Sequence, residues 1–526
     1  MTSSKRKGFS RRGFIRSASY AAAVAGLGRM PSLKALGYQS PNEKLNIAGI
    51  GAGGQAMQDL EAAQGGVENI VALADVDWAR AAEGFEKWPG AKRYRDYRRM
   101  LDEMGDEIDA VVIAIPDHNH AAAALACMQA GKHVYLEKPL TRTPWEARFL
   151  TEAAARYDVA TQMGNQGYSH EATRVACEIL WSGEIGEVRE VHAWSRSPSW
   201  PQGMAAIPDP TPVPDTLDWD LWLGTAEDRP FTAGDETYRE FATRQLEGRR
   251  FGDEEHGFYL PFNWRGFYDF GSSLIGDWGV HILGPANWGL QLSPEALLSV
   301  ECIEKDSLPP FTFPVKLAIK YEFGPRPGMP PVTVYWYHHG SGEAYLPPGM
   351  SAEEARKIPG QGPDLRPGAN PRRRRTTPAG EAEGQESARP RRSGFDRGAG
   401  YNCIFVGSKG YMGTNGRGED VGLLPGSRWA EYELPRPYLA RSPGADTSSN
   451  HEAHCNDWVR ACKGGAPACS SFEVAGKYTE WLLVGAAAVH FEGALEWDAE
   501  KGEIRNVPEA NRWIKPTYRT GWELKL

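Results

Sequence analysis

Between about Leu45 and Gln162 the chain alternates short apolar runs with amphipathic stretches. "LNIAGIG", "NIVALADV", "DAVVIAIP", "KHVYLEK" and "VATQMG" are apolar in sequence rather than at every second position. Such continuous runs suit strands buried on both faces, and the helical stretches between most of them predict a parallel, doubly wound sheet. After about residue 165 the pattern changes. "EATRVACEILWSG" predicts a helix, and a Trp- and Pro-rich stretch reaches about residue 270. "VKLAIKYEF" and "VTVYWYHHG" then alternate as antiparallel strands do. The predicted fold class is α/β: a parallel-sheet domain over 42–165, then an α+β domain over 166–526 with a large, mainly antiparallel sheet. A chain of 526 residues is too long for one ordinary core, which agrees with two domains. Residues 347–399 are rich in Pro, Gly, Arg and Glu, with few large apolar side chains. They predict a mobile surface insertion within the second domain.

The ends of the predicted strands carry the chemistry. The first runs into "IGAGGQA", which fits a phosphate-binding turn in two registers, Gly49–Gly51–Gly54 or Gly51–Gly53–Ala56. The second is preferred because Gly51 falls where the strand ends, and its third position accepts Gly or Ala. Gly51, Gly53, Gly54 and Ala56 are therefore cofactor-binding candidates, with the next helix aiming its N-terminus at a pyrophosphate. The second strand ends in "ADVD", placing Asp75 nineteen residues after Ala56. An acid there accepts from ribose hydroxyls and repels a 2′-phosphate, so the expected cofactor is NAD rather than NADP. "HVYLEKPL" ends a buried strand on Glu137 and Lys138, and Pro139 forbids regular continuation.

Charge and cysteine usage narrow the partners. The first 37 residues hold eight basic and no acidic side chains, and "SRRGFIR" matches a twin-arginine export signal. Its apolar run "SASYAAAVAGLG" is too short and weak to anchor in a bilayer, so no integral membrane span is expected. That route carries folded proteins, and the expected location is periplasmic. Removing the signal leaves 51 basic against 68 acidic residues, which argues against nucleic acid as a partner. Seven scattered cysteines without a C-x-x-C pair do not make a disulfide framework. "HEAHC" offers His451, His454 and Cys455 but no further close ligands, so no metal is expected.

Three patches stand together: "IPDHNH", "LEKP" and "DWGVHILG". Ligands of open α/β sheets bind beyond the strands' carboxyl ends. Pro116, His118, His120 and Glu137 should therefore surround the nicotinamide half of the cofactor. Asp277 and His281 are four apart and share one face if helical. With "DWDLWLG", "NWRGFYDFG" and the C-terminal "NVPEANRWIKPTYRTGW", these motifs resemble the Gfo/Idh/MocA family of sugar oxidoreductases, named for glucose–fructose oxidoreductase and inositol dehydrogenase. The resemblance runs from Leu45 to the C-terminus and implies a Rossmann cofactor domain. It further implies that Lys138 hydrogen-bonds the reacting hydroxyl, His281 takes its proton and Asp277 partners His281, with Glu137 holding Lys138 in place. Asn165, Trp264 and Arg265 are the expected substrate contacts. A carbohydrate substrate and a homo-oligomer built through the C-terminal sheet complete the expectation.

The default reaction is oxidation of a sugar hydroxyl by tightly bound NAD. Export suggests a closed redox cycle, because no soluble NAD pool is expected outside the cytoplasm. Sugar–sugar oxidoreduction satisfies this, and so does redox-assisted glycoside cleavage. Cleavage needs a further acid/base, for which Tyr168, Tyr259, Tyr268, Asp269 and His256 are candidates. A non-catalytic sugar- or NAD-binding protein is the remaining alternative.

Overall fold

The computed structural model describes residues 44–195, 200–246, 257–338, 345–358, 361–365, 400–442 and 450–526. The twin-arginine signal, His256 and residues 366–399 of the expected insertion lie outside the described residues.

Six strands, β1 (Asn46–Ile50), β2 (Asn69–Ala74), β3 (Lys92–Tyr94), β4 (Ala110–Ile113), β5 (His133–Leu136) and β6 (Thr161–Met163), form the first sheet. Their order is β3-β2-β1-β4-β5-β6, with every pairing parallel. All four residues of β4 are buried, as are the last four of β1, which is why these strands read as unbroken apolar runs. The order reverses beside β1, leaving a crevice at the carboxyl ends of β1 and β4. Helices α1 (Gln55–Gln64), α2 (His120–Gln129) and α3 (Pro144–Tyr157) connect strands of this sheet. Thr143 and Glu146 close a capping box at the start of α3, with Pro144 in its first turn.

The helix expected at "EATRVACEILWSG" is α4 (Glu171–Ser182). It leads into a nine-stranded sheet built from β7 (Val188–Ser195), β8 (Leu297–Lys305), β9 (Leu317–Phe323), β10 (Val332–His338), β11 (Cys403–Gly407), β12 (Gly410–Thr414), β13 (Val421–Leu424), β14 (Leu495–Asp498) and β15 (Glu503–Ile504). Its order is β13-β12-β11-β7-β10-β9-β8-β14-β15, antiparallel except where β7 meets β10. Two short helices, α5 (Ser273–Asp277) and α6 (Gly279–Ile282), precede β8.

The C-terminal helices bind the layers together. Helix α7 (Asn450–Cys462) returns to the first sheet, where Cys455, Trp458 and Cys462 share a core with Ile47, Leu60 and Tyr135. Helix α8 (Phe472–Ala488) is buried on nearly all sides, as expected of a helix between layers. On one side it meets α3: a Cβ on Gly476 would lie 1.8 Å from Thr151 Oγ1, and Arg148 pairs with Glu480 at 2.5 Å. On the other, Tyr321 of β9 donates to Leu482 O at 2.8 Å, and a Cβ on Gly485 would strike that same hydroxyl. Tyr478 also donates to Gly279 O at 2.8 Å, so α8 carries the segment that bears Asp277 and His281.

One expectation changes. Residues 347–358 were expected to move freely, yet Gly426 N donates to Glu354 O at 2.8 Å and Lys357 pairs with Asp420. The Glu354 carbonyl and the Lys357 ammonium thus meet residues on either side of β13.

Close packing at Gly476 has a measurable consequence. Gly476→Val should destabilise the protein by about 1–3 kcal/mol through overpacking against Thr151. Gly90→Ala, with no atom near its added Cβ, should change stability by less than about 0.5 kcal/mol in the same denaturant titration.

Candidate active site

A cavity of about 700 Å³ runs from the glycine turn to the end of β5 and is closed by the second domain. Gly51, Gly53, Gly54, Asp75, Pro116, Glu137 and Lys138 line it from the first sheet, and Trp264, Arg265, Asp277 and His281 from the second domain. The cradle fits a dinucleotide. Gly51 has φ +93°, and a Cβ there would sit 2.5 Å from Ala114 O. A Cβ on Gly53 would sit 2.4 Å from Arg80 O, so only glycine leaves the floor open. The N-terminus of α1 has no side-chain cap, leaving its N–H groups for an anion. Asp75 accepts from Ala52 N at 2.8 Å and Asp77 N at 2.9 Å, fixing the turn to the end of β2. Each carboxylate oxygen keeps a second lone pair for a hydroxyl. Burial raises this carboxyl to about 6 despite those two N–H donors.

At the other end, Lys138 Nζ donates to Asp277 Oδ1 at 2.6 Å and Arg265 Nε donates to the same oxygen at 3.2 Å. The Arg265 guanidinium lies 4.1 Å from the ring centroids of both Phe262 and Trp264. Burial pushes the Asp277 carboxyl upward, but the two cations outweigh it and hold it at about 2. His281 is buried, and its Nδ1 has no hydrogen-bond partner among the described residues. Burial, with the charges of Lys138 and Arg417, lowers its pKa well below the ordinary imidazole value, so the ring is neutral.

Two expected partnerships are rearranged. Asp277 serves Lys138 and Arg265 rather than hydrogen-bonding His281, because Trp278 separates α5 from α6 and breaks the single helix that a spacing of four assumed. Glu137 does not hold the Lys138 ammonium. It accepts from the Lys138 backbone N at 3.1 Å and from Gln166 Nε2 at 3.1 Å. Burial and the Asp59 carboxylate raise its pKa.

His118 and His120 stand behind the cavity wall. His120 bridges Ile115 O and Pro139 O, and His118 meets Trp222 O at 3.0 Å. Burial lowers both rings, to about 3 for His118 and about 4 for His120. Ala56 lies beneath the turn, where a Cβ on Gly51 would approach it to 3.1 Å. Asn165 is buried with its amide unpartnered among the described residues and does not reach the cavity lining. Neither do Tyr168, Tyr259, Tyr268 or Asp269. Tyr168 is held by Asn287 at 2.5 Å, and Asp269 pairs with Arg229.

The "HEAHC" side chains diverge. His451 pairs with Asp59 at 2.6 Å; burial pulls its pKa down, yet this partner carries it up to about 11. His454 meets Met163 O and Ser169 Oγ, each at 2.7 Å. Among the described residues no group of three or more is placed to hold a metal ion. Sequence reading missed Asp117, Trp222, Arg417 and Gln166, all of which line the cavity. Asp117 lay inside a recognised patch, between residues singled out, whereas Arg417 comes from the β12–β13 turn, which no spacing connects to the rest.

A sequence profile described as an oxidoreductase family with an NAD-binding Rossmann fold, Gfo/Idh/MocA, matches residues 44–165. Inositol 2-dehydrogenase 2 of Saccharopolyspora erythraea is 32% identical over 187 residues, 34% of this chain and 53% of that protein. Inositol 2-dehydrogenase of Rhodococcus erythropolis is 32% identical over 168 residues, 31% of this chain and 48% of that protein. The chain thus spans about half the length of the curated relatives it matches. The WlbA dehydrogenase of Bordetella pertussis, solved in complex with NADH and UDP-GlcNAcA, superposes with a TM-score of 0.51 at 11% identity. That superposition covers 87% of this chain and 99% of the other, and it is a likeness of fold.

The glycine floor can be tested by calorimetric titration with NAD. Gly53→Val should weaken binding by at least about tenfold, the scale of one lost close contact with the pyrophosphate, while thermal unfolding still shows a folded protein.

Proposed function

We propose, from the premise that the chain belongs through residues 44–165 to the Gfo/Idh/MocA oxidoreductase family, that it removes hydride from a hydroxyl of a sugar or sugar derivative. One observation carries this reading: a glycine-turn cradle and the Lys138–Asp277–Arg265 cluster with neutral His281 open into the same cavity. Gly51, Gly53, Gly54 and the α1 N-terminus would hold the pyrophosphate of NAD, and Asp75 its adenosine ribose. Bound NAD supplies the hydride acceptor. His281, kept neutral by burial, takes the hydroxyl proton. Lys138, held in place by Asp277, stabilises negative charge as it develops on the substrate oxygen. Arg265 and Trp264 contact the substrate, with the aromatic surface suited to the apolar face of a sugar ring.

The twin-arginine motif supports export to the periplasm, and export supports NAD that stays bound and is reoxidised at the same site. Sugar–sugar oxidoreduction fits this cycle. The glycoside-cleaving alternative gains nothing from its tyrosine candidates, which stand outside the cavity. A purely binding role leaves the assembled Lys138–Asp277–Arg265 cluster without a use. On the second sheet, His192, Tyr335 and Tyr345 stack with centroids 3.6–4.8 Å apart, next to Tyr337.

Lys138→Ala and His281→Ala should each lower kcat by about 10²–10⁴, read as the rate of nicotinamide reduction on mixing with sugar substrates. Neutral His281 is the active form and its pKa is depressed. At saturating NAD, kcat should therefore stay level as pH falls through the ordinary imidazole value of 6.5, whereas NAD affinity should weaken as Asp75 takes a proton near 6. Protein purified from periplasmic extract should release NAD on denaturation, detected by mass spectrometry. A protein found only in the cytoplasm and free of NAD would remove the support for recycling.

A further inference from the structure

The cavity contains a second carboxyl group, Asp117, that the chemistry above does not use. It follows β4 at the start of the turn Asp117–Asn119, lines the cavity and is 2% exposed. Its one side-chain hydrogen bond among the described residues is long, 3.4 Å from Ser272 Oγ to Oδ2. Ser272 sits under the reactive cluster. A Cβ on Gly276, the residue before Asp277, would lie 2.0 Å from Ser272 Oγ and 3.1 Å from Cγ of Pro139, the residue after Lys138. Asp117 is thus separated by a single side chain from the segments that carry both members of the Lys138–Asp277 pair.

The charged groups facing Asp117 are Arg265, Asp277 and Lys138. Both cations donate to Asp277, at 2.6 and 3.2 Å, and neither bonds Asp117. A buried carboxylate that accepts from no cation and no backbone N–H is disfavoured, and taking a proton relieves that penalty. Burial accordingly raises the Asp117 pKa well above the ordinary aspartate value, and the nearby Asp277 charge adds to this against the pull of Arg265 and Lys138. Two neighbouring carboxyls are pushed in opposite directions: Asp277 down by its two cations, Asp117 up by burial. Such a division marks different chemical roles.

We propose that Asp117 is a further catalytic residue, a carboxylic acid whose O–H donates a hydrogen bond to the substrate oxygen on which negative charge develops. This rests on the hydride-transfer reading of the site. The proton balance is simple: the hydroxyl proton goes to His281, hydride leaves the carbon, and Asp117 keeps its own proton throughout. Together with Lys138 it gives that oxygen a neutral and a charged donor, both fixed before the reaction begins. The residue also confers an alkaline limit, because an ionised Asp117 would face the developing negative charge with another negative charge.

The test pairs infrared spectroscopy with kinetics on the full-length protein. The wild type should show a protonated-carboxyl C=O band at neutral pH that disappears in Asp117→Asn. Asp117→Ala should lower kcat by about 10²–10³, the loss expected for one pre-set donor. Asp117→Asn, which keeps an N–H donor, should retain kcat within about tenfold of the wild type and hold its activity to higher pH. A missing band, a band unchanged in Asp117→Asn, or Asp117→Ala within about threefold of the wild type would overturn the assignment while leaving hydride transfer intact. A wild type that shows the band but reduces no nicotinamide with any sugar would overturn the hydride-transfer reading and, with it, the donor's role.

Discussion

The structure turns on a buried ion cluster, Lys138 and Arg265 on one oxygen of Asp277. A lysine at the end of a buried strand is tolerable only with a partner, and the partner comes from the other domain. The pair therefore does two things at once. It draws α5 against the end of β5, at the end of the cavity away from the glycine turn. It also fixes the ammonium where a substrate oxygen must approach. Truncating Asp277 would leave two buried cations without their shared partner, so stability and chemistry are coupled at this point.

Helix α8 makes that pairing available. It lies between α3 of the first sheet and β9 of the second, and glycines at 476 and 485 permit close approach on both sides. From this position Tyr478 supports Gly279, between Asp277 and His281. The site is thus built on packed helices and strand ends rather than on free loops, which suits groups that must be oriented before the substrate arrives. Helix α7 plays a related part on the other face of the first sheet, where His451 and His454 satisfy buried partners instead of sharing a ligand.

Burial sets the protonation of the site. His281 is neutral because it is desolvated beside cations. Asp277 is ionised because two cations outweigh its desolvation. Asp117, close by but hydrogen-bonded to neither cation, is driven the other way by burial. Three titratable groups in one cavity are therefore shifted differently, and the differences arise from burial and from which partner each one reaches.

Much of this was legible in the sequence. Unbroken apolar runs identified the parallel strands, because strands buried on both faces admit no polar alternation. The glycine turn, Asp75 and the Glu–Lys–Pro strand end were readable because each is a local requirement of backbone geometry or of position along one strand. Who partners whom was not readable. Lys138 and Asp277 are 139 residues apart, and the short helix around Asp277 breaks at Trp278, so neither the shared face that a spacing of four suggested nor the His281 partnership that the resemblance implied pointed to Lys138. Asp117 carries no local mark of its state, since protonation depends on cations supplied by distant segments. Sequence alone determined which elements form and which residues stand at their ends. Only the tertiary structure decided which charges meet, because a buried charge is settled by whatever the fold brings within a few ångströms of it.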